Sequence, residues 1–136
     1  MESLDETVAP LISAMNHVPF LVTLSSCGGH PEESAVREYN YAVANVVFEI
    51  KDEAGNAIRW YGMLQEILRS RKSERPQREH AFIFAKKFWL NLDGFLAWQW
   101  DLKIQATGQT PAECRAGLDE GIGFLTTYFN KIMAER

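Results

Sequence analysis

Apolar residues recur along this chain with a spacing that changes between helical and strand-like periods. The N-terminal segment has the spacing of one helical face, at Leu4, Val8, Leu11, Ile12 and Met15. Pro10 fits the first turn of this helix, where a missing N–H group does no harm. The run Pro19–Leu24 that follows is short, apolar and β-branched, which predicts a strand.

A second strand is predicted over Tyr39–Ile50, where two sets of residues alternate. One set forms a covered face: Ala42, Ala44, Val46, Phe48 and Ile50. Lys51–Asn56 is predicted to be a turn. Residues 56–62 leave two alternatives, because Ile58 and Trp60 also suit a returning hairpin strand. A stripe at helical spacing favours a helix over Asn56–Lys72 with Asn56 as its cap, and consists of Tyr61, Leu64, Ile67 and Leu68.

The second half of the chain predicts an antiparallel hairpin. His80–Trp89 has apolar residues on both faces, and Asn91–Gly94 contains an Asp-Gly turn before the next strand, Phe95–Ala106. Apolar and polar residues alternate clearly along this strand. Its predicted buried face consists of Leu96, Trp98, Trp100, Leu102 and Ile104.

The last helix has the clearest local signal. Thr110 and Glu113 form a capping box around Pro111, and Cys114 opens an apolar stripe that continues to Ile132. Gly117 and Gly121 lie one turn apart, which predicts a close approach to the sheet. The predicted fold class is therefore α+β, with the elements in the order α-β-β-α-β-β-α. We expect three helices, a mixed or antiparallel sheet of about four strands, and one domain over residues 1–136.

Composition narrows the class of protein. The 136 residues are 46% apolar, which indicates a globular chain, and the longest apolar runs fall far short of the ~20 residues of a membrane helix. The acidic N-terminus is unlike a targeting leader, and two cysteines make no disulfide framework, so we expect a cytoplasmic protein without membrane contact. The net charge of −4 argues against a generic nucleic-acid coat.

One stretch of the chain is strongly basic, although the chain as a whole has a net negative charge. Glu74 is the only acidic residue in this stretch. Its residues are Arg69, Arg71, Lys72, Arg75 and Arg78. Two interpretations remain open: a solvated loop of mixed charge, or a phosphate or RNA contact made by clustered arginines.

The hexapeptide Ser25–His30 is the strongest candidate site, because loops at strand ends often present functional groups. The amides of Gly28 and Gly29 can hold an anion, and Ser25 and Ser26 join them as candidate ligand-binding residues. Cys27 and His30 are the candidate catalytic pair, as nucleophile and as acid or base. Alternatively, Cys27 is a small buried residue and the glycines only form a tight turn.

Two other sets of residues bear on the chemistry of this chain. The Cys-x2-His spacing suits zinc, but a full set of four ligands is not evident, so no metal is predicted, and no cofactor can be named. The predicted wet face of the sheet carries Tyr41, Asn45, Gln99 and Asp101. This face must be open to water, covered by a ligand, or buried against a second copy.

The segment Ser25-Ser26-Cys27-Gly28-Gly29-His30 resembles the Ser-Ser-Cys-Ser-Gly-Arg segment of the wybutosine-synthesising protein 3 family. Ser25, Ser26, Cys27 and Gly29 match, whereas Gly28 replaces a serine and His30 replaces the arginine. The resemblance implies an α/β fold and an S-adenosylmethionine-dependent methyltransferase acting on a modified guanosine of tRNA. It covers a single short segment of the chain and suggests a related fold more than a shared reaction.

Two functions are therefore expected from the sequence. The first is a small ligand-binding domain with its site at the Ser25–His30 segment and the wet sheet face as its wall, with tRNA modification as one possibility and catalysis left open. The second is a non-catalytic binding or assembly module that forms a homodimer through the face of Tyr41, Asn45, Gln99 and Asp101.

Overall fold

The computed structural model describes residues 6–29, 41–73, 78–90 and 96–134, without the side chains of 41, 72, 73, 88–90, 96–98 and 134. Within these residues it has three helices and four strands. They are, in chain order, α1 (Ala9–Asn16), β1 (Leu21–Cys27), β2 (Tyr41–Ile50), α2 (Glu53–Ser73), β3 (His80–Leu90), β4 (Leu96–Thr107) and α3 (Pro111–Ala134). The predicted α+β class and element order are confirmed.

The strands form one antiparallel sheet in the order β1-β2-β4-β3. The sheet is thus antiparallel rather than mixed, and β1 and β3 are its edges. The long hairpin of β3 and β4 pairs from His80 opposite Ala106 to Leu90 opposite Leu96, as the sequence predicted. The predicted turn at Asn91–Gly94 lies outside the described residues.

The helices pack on one face of this sheet. The predicted covered face of β2 is confirmed, because Ala42, Ala44, Val46, Phe48 and Ile50 are all buried. On β4, Trp100, Leu102 and Ile104 are buried on the same side. The hydrophobic core therefore lies between the sheet and the helices, as expected when apolar residues alternate along each strand.

Helix α3 lies unusually close to the sheet at its two predicted glycines. A Cβ atom at Gly117 would lie 2.8 Å from the Cβ of Ala106, and one at Gly121 would lie 2.8 Å from Cγ2 of Ile104. Real Cβ atoms do not approach other atoms this closely, so the predicted role of both glycines is confirmed. The stripe from Cys114 to Phe129 is buried by this contact.

The capping box of α3 is also present, with one difference. The N–H of Glu113 donates to Oγ1 of Thr110 at 3.2 Å, as predicted. The carboxylate of Glu113 accepts from the N–H of Gln109 at 2.6 Å, one residue before the cap. The first contact satisfies a backbone donor that the first turn of a helix leaves free, and the second joins the residue before the cap to the helix.

Helix α2 begins three residues earlier than the sequence predicted, so Glu53–Asn56 is helical and not part of the turn. Residues 56–62 are helix, which decides between the two alternatives. Asn56 lies inside the first turn and its Nδ2 donates to the carbonyl of Lys51 at 2.6 Å, so it is not the N-cap. Asp52, with φ of 44°, makes the tight entry that allows this early start.

Two of the four residues of the predicted stripe of α2 are confirmed, because Ile67 is buried and Leu64 packs against the core, but the buried face extends in another direction. Trp60, Met63 and Ile67 are buried, whereas Tyr61 is 51% and Leu68 58% exposed. The ring of Trp60 contacts those of Phe48, Phe84 and Trp100, with centroids 5.4, 5.9 and 5.5 Å apart. A tryptophan ring gains more from burial than the residues on the predicted stripe, so the helix is rotated towards it.

Strand β1 continues three residues beyond the predicted end at Leu24. A β-bulge lies within this extension, because Thr23 lies opposite Phe48 and Ser25 opposite Val47, which leaves Leu24 as the extra residue. Ser25, Ser26 and Cys27 are therefore part of the strand rather than of a turn, which corrects the predicted boundary.

Within the described residues, no helix has the combination of length and apolar character that crossing a bilayer requires.

His80 is a titratable residue inside the fold. It is 7% exposed, its Nδ1 lies 2.9 Å from the carbonyl oxygen of Arg78, and its Nε2 has no partner among the described residues. Loss of hydration lowers the pKa of His80 below 6.5, and the charge of Arg71 acts in the same direction, against the raising effect of the Arg78 carbonyl.

Acid should therefore destabilise the protein through His80. As the pH falls below 6.5, the unfolded chain takes up a proton at this residue before the folded chain does, so the free energy of unfolding decreases. Urea unfolding at several pH values between about 5 and 8 measures this dependence. His80→Asn, which retains a donor for the Arg78 carbonyl, should show a shallower decrease than the wild type. Equal slopes for the two proteins would contradict the assignment.

Candidate functional site

The face of the sheet opposite the helices, which we call the open face, carries the candidate site. Directly opposed residues of an antiparallel pair project to the same side, so the register defines this face. It consists of Val22, Ser25 and Cys27 of β1; Val43, Asn45, Val47 and Glu49 of β2; Ala81, Ile83, Ala85 and Lys87 of β3; and Gln99, Asp101, Lys103 and Gln105 of β4. The prediction that Asn45, Gln99 and Asp101 share one face is confirmed.

Residues that lie directly opposite each other on neighbouring strands form a row across this face. One such row places Cys27 next to polar groups. Cys27 lies opposite Asn45, and Asn45 lies opposite Lys103 on the next strand. Opposed residues have Cβ atoms about 5 Å apart, so each can contact the next. Cys27 is exposed, which favours the functional interpretation of this residue over the buried one.

Asp101 occupies the adjacent row and is the least usual group on the open face. The residue is only 5% exposed. Its Oδ2 lies 3.1 Å from Nζ of Lys87 and 4.0 Å from Nζ of Lys103. Its Oδ1 is buried and has no hydrogen-bond partner among the described residues. Two ammonium groups share one carboxylate, so this point of the sheet has a local excess of positive charge.

The side chains of the hexapeptide Ser25–His30 do not all lie on one face of the sheet. Ser25 and Cys27 lie on the open face, whereas Ser26 lies opposite Val46 and is half-buried on the helix side. The structure therefore does not bring Ser26 together with the other two residues. His30 and the side chain of Tyr41 lie outside the described residues.

The segment of Gly28 and Gly29 has a structural role that needs no ligand. Both are buried, and Nη1 of Arg115 donates to their carbonyl oxygens at 3.0 and 2.8 Å. Gly29 has φ of +74°, and a Cβ there would lie 2.7 Å from Cδ1 of Leu118 and 3.0 Å from the carbonyl oxygen of Val43. The segment after β1 is thus an anchor for helix α3.

Arg115 is the residue that sequence reasoning missed. It also forms an ion pair with Asp119 one turn later, at 2.8 Å. This i,i+4 spacing was the only local signal, and it indicates a surface pair rather than a contact with β1.

The basic stretch is partly used inside the fold. Nη2 of Arg71 donates to the carbonyl of His80 at 3.2 Å, and its guanidinium lies 5.5 Å from the ring centroid of Phe82 and 5.7 Å from that of Phe124. Arg69 and Arg78 are exposed. Arg75 and the side chain of Lys72 lie outside the described residues. A phosphate or RNA contact through this stretch stays a prediction, and Arg71 is poorly placed for it.

Comparison with known proteins adds no relative, because no protein-family model, curated protein or solved structure matches this chain significantly. In the described part of the chain, His, Cys, Asp and Glu side chains form no group of three that could hold a metal ion. The site must therefore be interpreted from its own geometry.

Cys27 should react with alkylating agents before Cys114. Cys27 is exposed at the end of an edge strand, whereas Cys114 is fully buried, and burial raises the pKa of its thiol above 9.0, with the nearby Glu113 acting in the same direction. Timed alkylation of the native protein followed by peptide mass spectrometry measures the order. Faster modification of Cys114 would remove Cys27 from the candidate site.

Gly29→Ala should destabilise the protein by about 1–3 kcal/mol, because the left-handed backbone and the contact with Leu118 both oppose a Cβ. Gly123→Ala is the matched control. Gly123 lies in the interior of α3, and no atom of the described part of the chain lies within 4 Å of the added Cβ, so the substitution should stabilise the protein by up to about 1 kcal/mol. Thermal melts of both variants test the pair, and equal shifts would show that Gly29 is not required by the fold.

Proposed function

We propose that this chain is a non-catalytic binding module that holds a small anionic molecule on its open face, at Lys87, Lys103 and Asp101. The observation that carries this proposal is the arrangement of two half-exposed lysine side chains, 46% and 42% accessible, around one buried carboxylate. Within the described residues, Asp101 is the carboxylate that pairs with both lysines. Glu49, which makes the charge of the whole face neutral, lies four residues along β2 from Asn45, the partner of Lys103. A local excess of positive charge therefore remains at this point and favours a second anion.

Asp101 positions the two lysines for this role. Because its carboxylate is nearly buried, its attraction for Lys87 and Lys103 is screened less than that of a surface pair. Both ammonium groups are thereby drawn towards β4 while a large part of each side chain remains accessible. A carboxylate or phosphate that bridges them makes charge-assisted hydrogen bonds with both.

Neighbouring residues of the open face extend the site. The amide of Asn45 lies beside Lys103 in the register and can donate to a polar ligand. Cys27 and Ser25 border it on β1. The ligand that fits is therefore a small anion with further polar groups. In this proposal the site lies on the sheet face that was predicted to be its wall, next to the Ser25–His30 segment.

Catalysis is not needed for this proposal. The pairing of Cys27 with His30 and the tRNA-modifying activity implied by the family resemblance both stay predictions. The internal contacts of Arg71 and the anchoring of Gly28 and Gly29 reduce the number of groups that those activities would use.

A second function is favoured by the charge balance of the open face. Glu49 and Asp101 match Lys87 and Lys103, so this face is neutral in a chain of net charge −4. Ile83 is 40% exposed on the same face. A neutral surface with charges of both signs is self-complementary, which suits a homodimer formed through the sheet.

The anion site can be tested by NMR titration with inorganic phosphate and with succinate at low ionic strength. We expect saturable shifts at residues of β3 and β4 around Lys103, and Lys103→Ala should weaken binding about tenfold or more, the loss of one charge-assisted hydrogen bond. Lys131→Ala, an exposed lysine on α3, is the control and should leave binding unchanged. Similar weakening in both variants, or no saturation in the wild type, would exclude the site.

A further inference from the structure

Helix α2 carries an apolar stripe that nothing in the described part of the chain covers. Ile58 is 90% exposed, Tyr61 51% and Leu68 58%. These residues belong to a longer series that advances in alternate steps of four and three along the helix: Ala54, Ile58, Tyr61, Gln65, Leu68 and Lys72. This is the spacing of a coiled-coil seam, which lies straight along a helix only when a second helix packs on it.

The series is symmetric about position 63, which decides how two copies would pair. In an antiparallel pair centred there, Ile58 faces Leu68 of the second copy, and Tyr61 faces Gln65 of the second copy. The tyrosine hydroxyl and the glutamine amide can form a hydrogen bond. In a parallel pair, each residue would face its own counterpart, with Lys72 against Lys72, which places like charges together.

Gly62 lies at the centre of this series. Among the described residues, no atom lies within 4 Å of a Cβ built there, so the packing of this part of the chain does not explain a glycine in the middle of the helix. A glycine costs a helix about 1 kcal/mol relative to alanine. In the antiparallel pair Gly62 lies at the edge of the seam, level with Leu64 of the second copy and about 3 Å along the axis from Gly62 of that copy. The missing side chains on this edge let the two helices approach closely.

Charge favours the same orientation. Asp52 lies at the N-terminal end of α2, and Arg69 and Lys72 lie near its C-terminal end. Glu53 and Arg71 are used in contacts inside the fold and do not contribute to this pattern. Antiparallel pairing brings the acidic end of one helix to the basic end of the other, and it also opposes the two helix dipoles. Parallel pairing would bring the two basic ends together.

We infer that this chain forms a two-fold symmetric homodimer through antiparallel pairing of α2. A 21-residue helix is about 30 Å long, and a contact of one helix on another falls at or below the low end of stable interfaces, which bury about 1,200 Å² in total. The dimer is therefore reversible and dissociates on dilution. It leaves the open face accessible, so it does not depend on the anion site.

Sedimentation velocity over a range of concentrations tests the dimer. The wild type should shift from monomer to dimer as its concentration rises, and Leu68→Glu should stay monomeric. Leu68 is exposed, so this variant should melt at the wild-type temperature. The control is Leu24→Glu at the bulge of β1, an exposed apolar residue outside both surfaces, which should dimerise like the wild type. Ile83→Glu distinguishes this dimer from one formed through the open face, and it should also dimerise like the wild type if α2 forms the contact. A monomeric wild type at millimolar concentration, or a dimer lost only in Ile83→Glu, would overturn the proposal.

Disulfide trapping tests the orientation. In a Cys27→Ser background, Ile58→Cys mixed with Leu68→Cys should form a crosslinked dimer under mild oxidation, because the two positions face each other. Ile58→Cys alone should not, since its two copies lie about 15 Å apart at 1.5 Å per residue, beyond the reach of a disulfide. Rapid crosslinking of Ile58→Cys alone would indicate a parallel pair and contradict the proposal.

Discussion

The close contact between helix α3 and strand β4 is the constraint on which the rest of this structure depends. Gly117 and Gly121 let the helix backbone lie against Ala106 and Ile104. This short separation also brings Arg115 within reach of the carbonyl groups after β1, so the helix secures the edge strand as well as the centre of the sheet. On its other side, the Tyr128 hydroxyl lies 3.2 Å from the Met63 carbonyl oxygen and joins α3 to α2.

Because the polar contacts of the helix side serve the fold, the surfaces available for recognition lie elsewhere. Arg115 and Arg71 are used to hold backbone carbonyls, and Glu53 holds Trp100 and Lys86. The open face and the outer side of α2 differ from this pattern. The first concentrates charge around a buried Asp101, and the second exposes apolar residues in a regular order. One surface thus suits a small polar molecule and the other a second helix.

Much of the fold could be predicted from the sequence, because alternation and helical spacing report burial directly. The faces of β2 and β4, the cap at Thr110 and the glycines of α3 follow from such local patterns. The rotation of α2 did not, since the burial of Trp60 depends on rings from three different strands. The anchoring of Gly28 by Arg115 joins residues far apart in the chain, and no local pattern indicates it. The candidate site was found only in part for the same reason.

The extra residue at Leu24 has a consequence for how short motifs are compared between proteins. Without it, Ser25 and Cys27 would continue the alternation of Leu21 and Thr23 and face the core, and Ser26 would face solvent. The accessibility of the thiol is therefore determined by the phase of the strand and not by the identity of the residues around it. A chain with the same Ser-Ser-Cys segment on an uninterrupted strand would present the opposite set of groups. A site can be transferred between such chains only when both have the extra bulge residue as well as the same residue types.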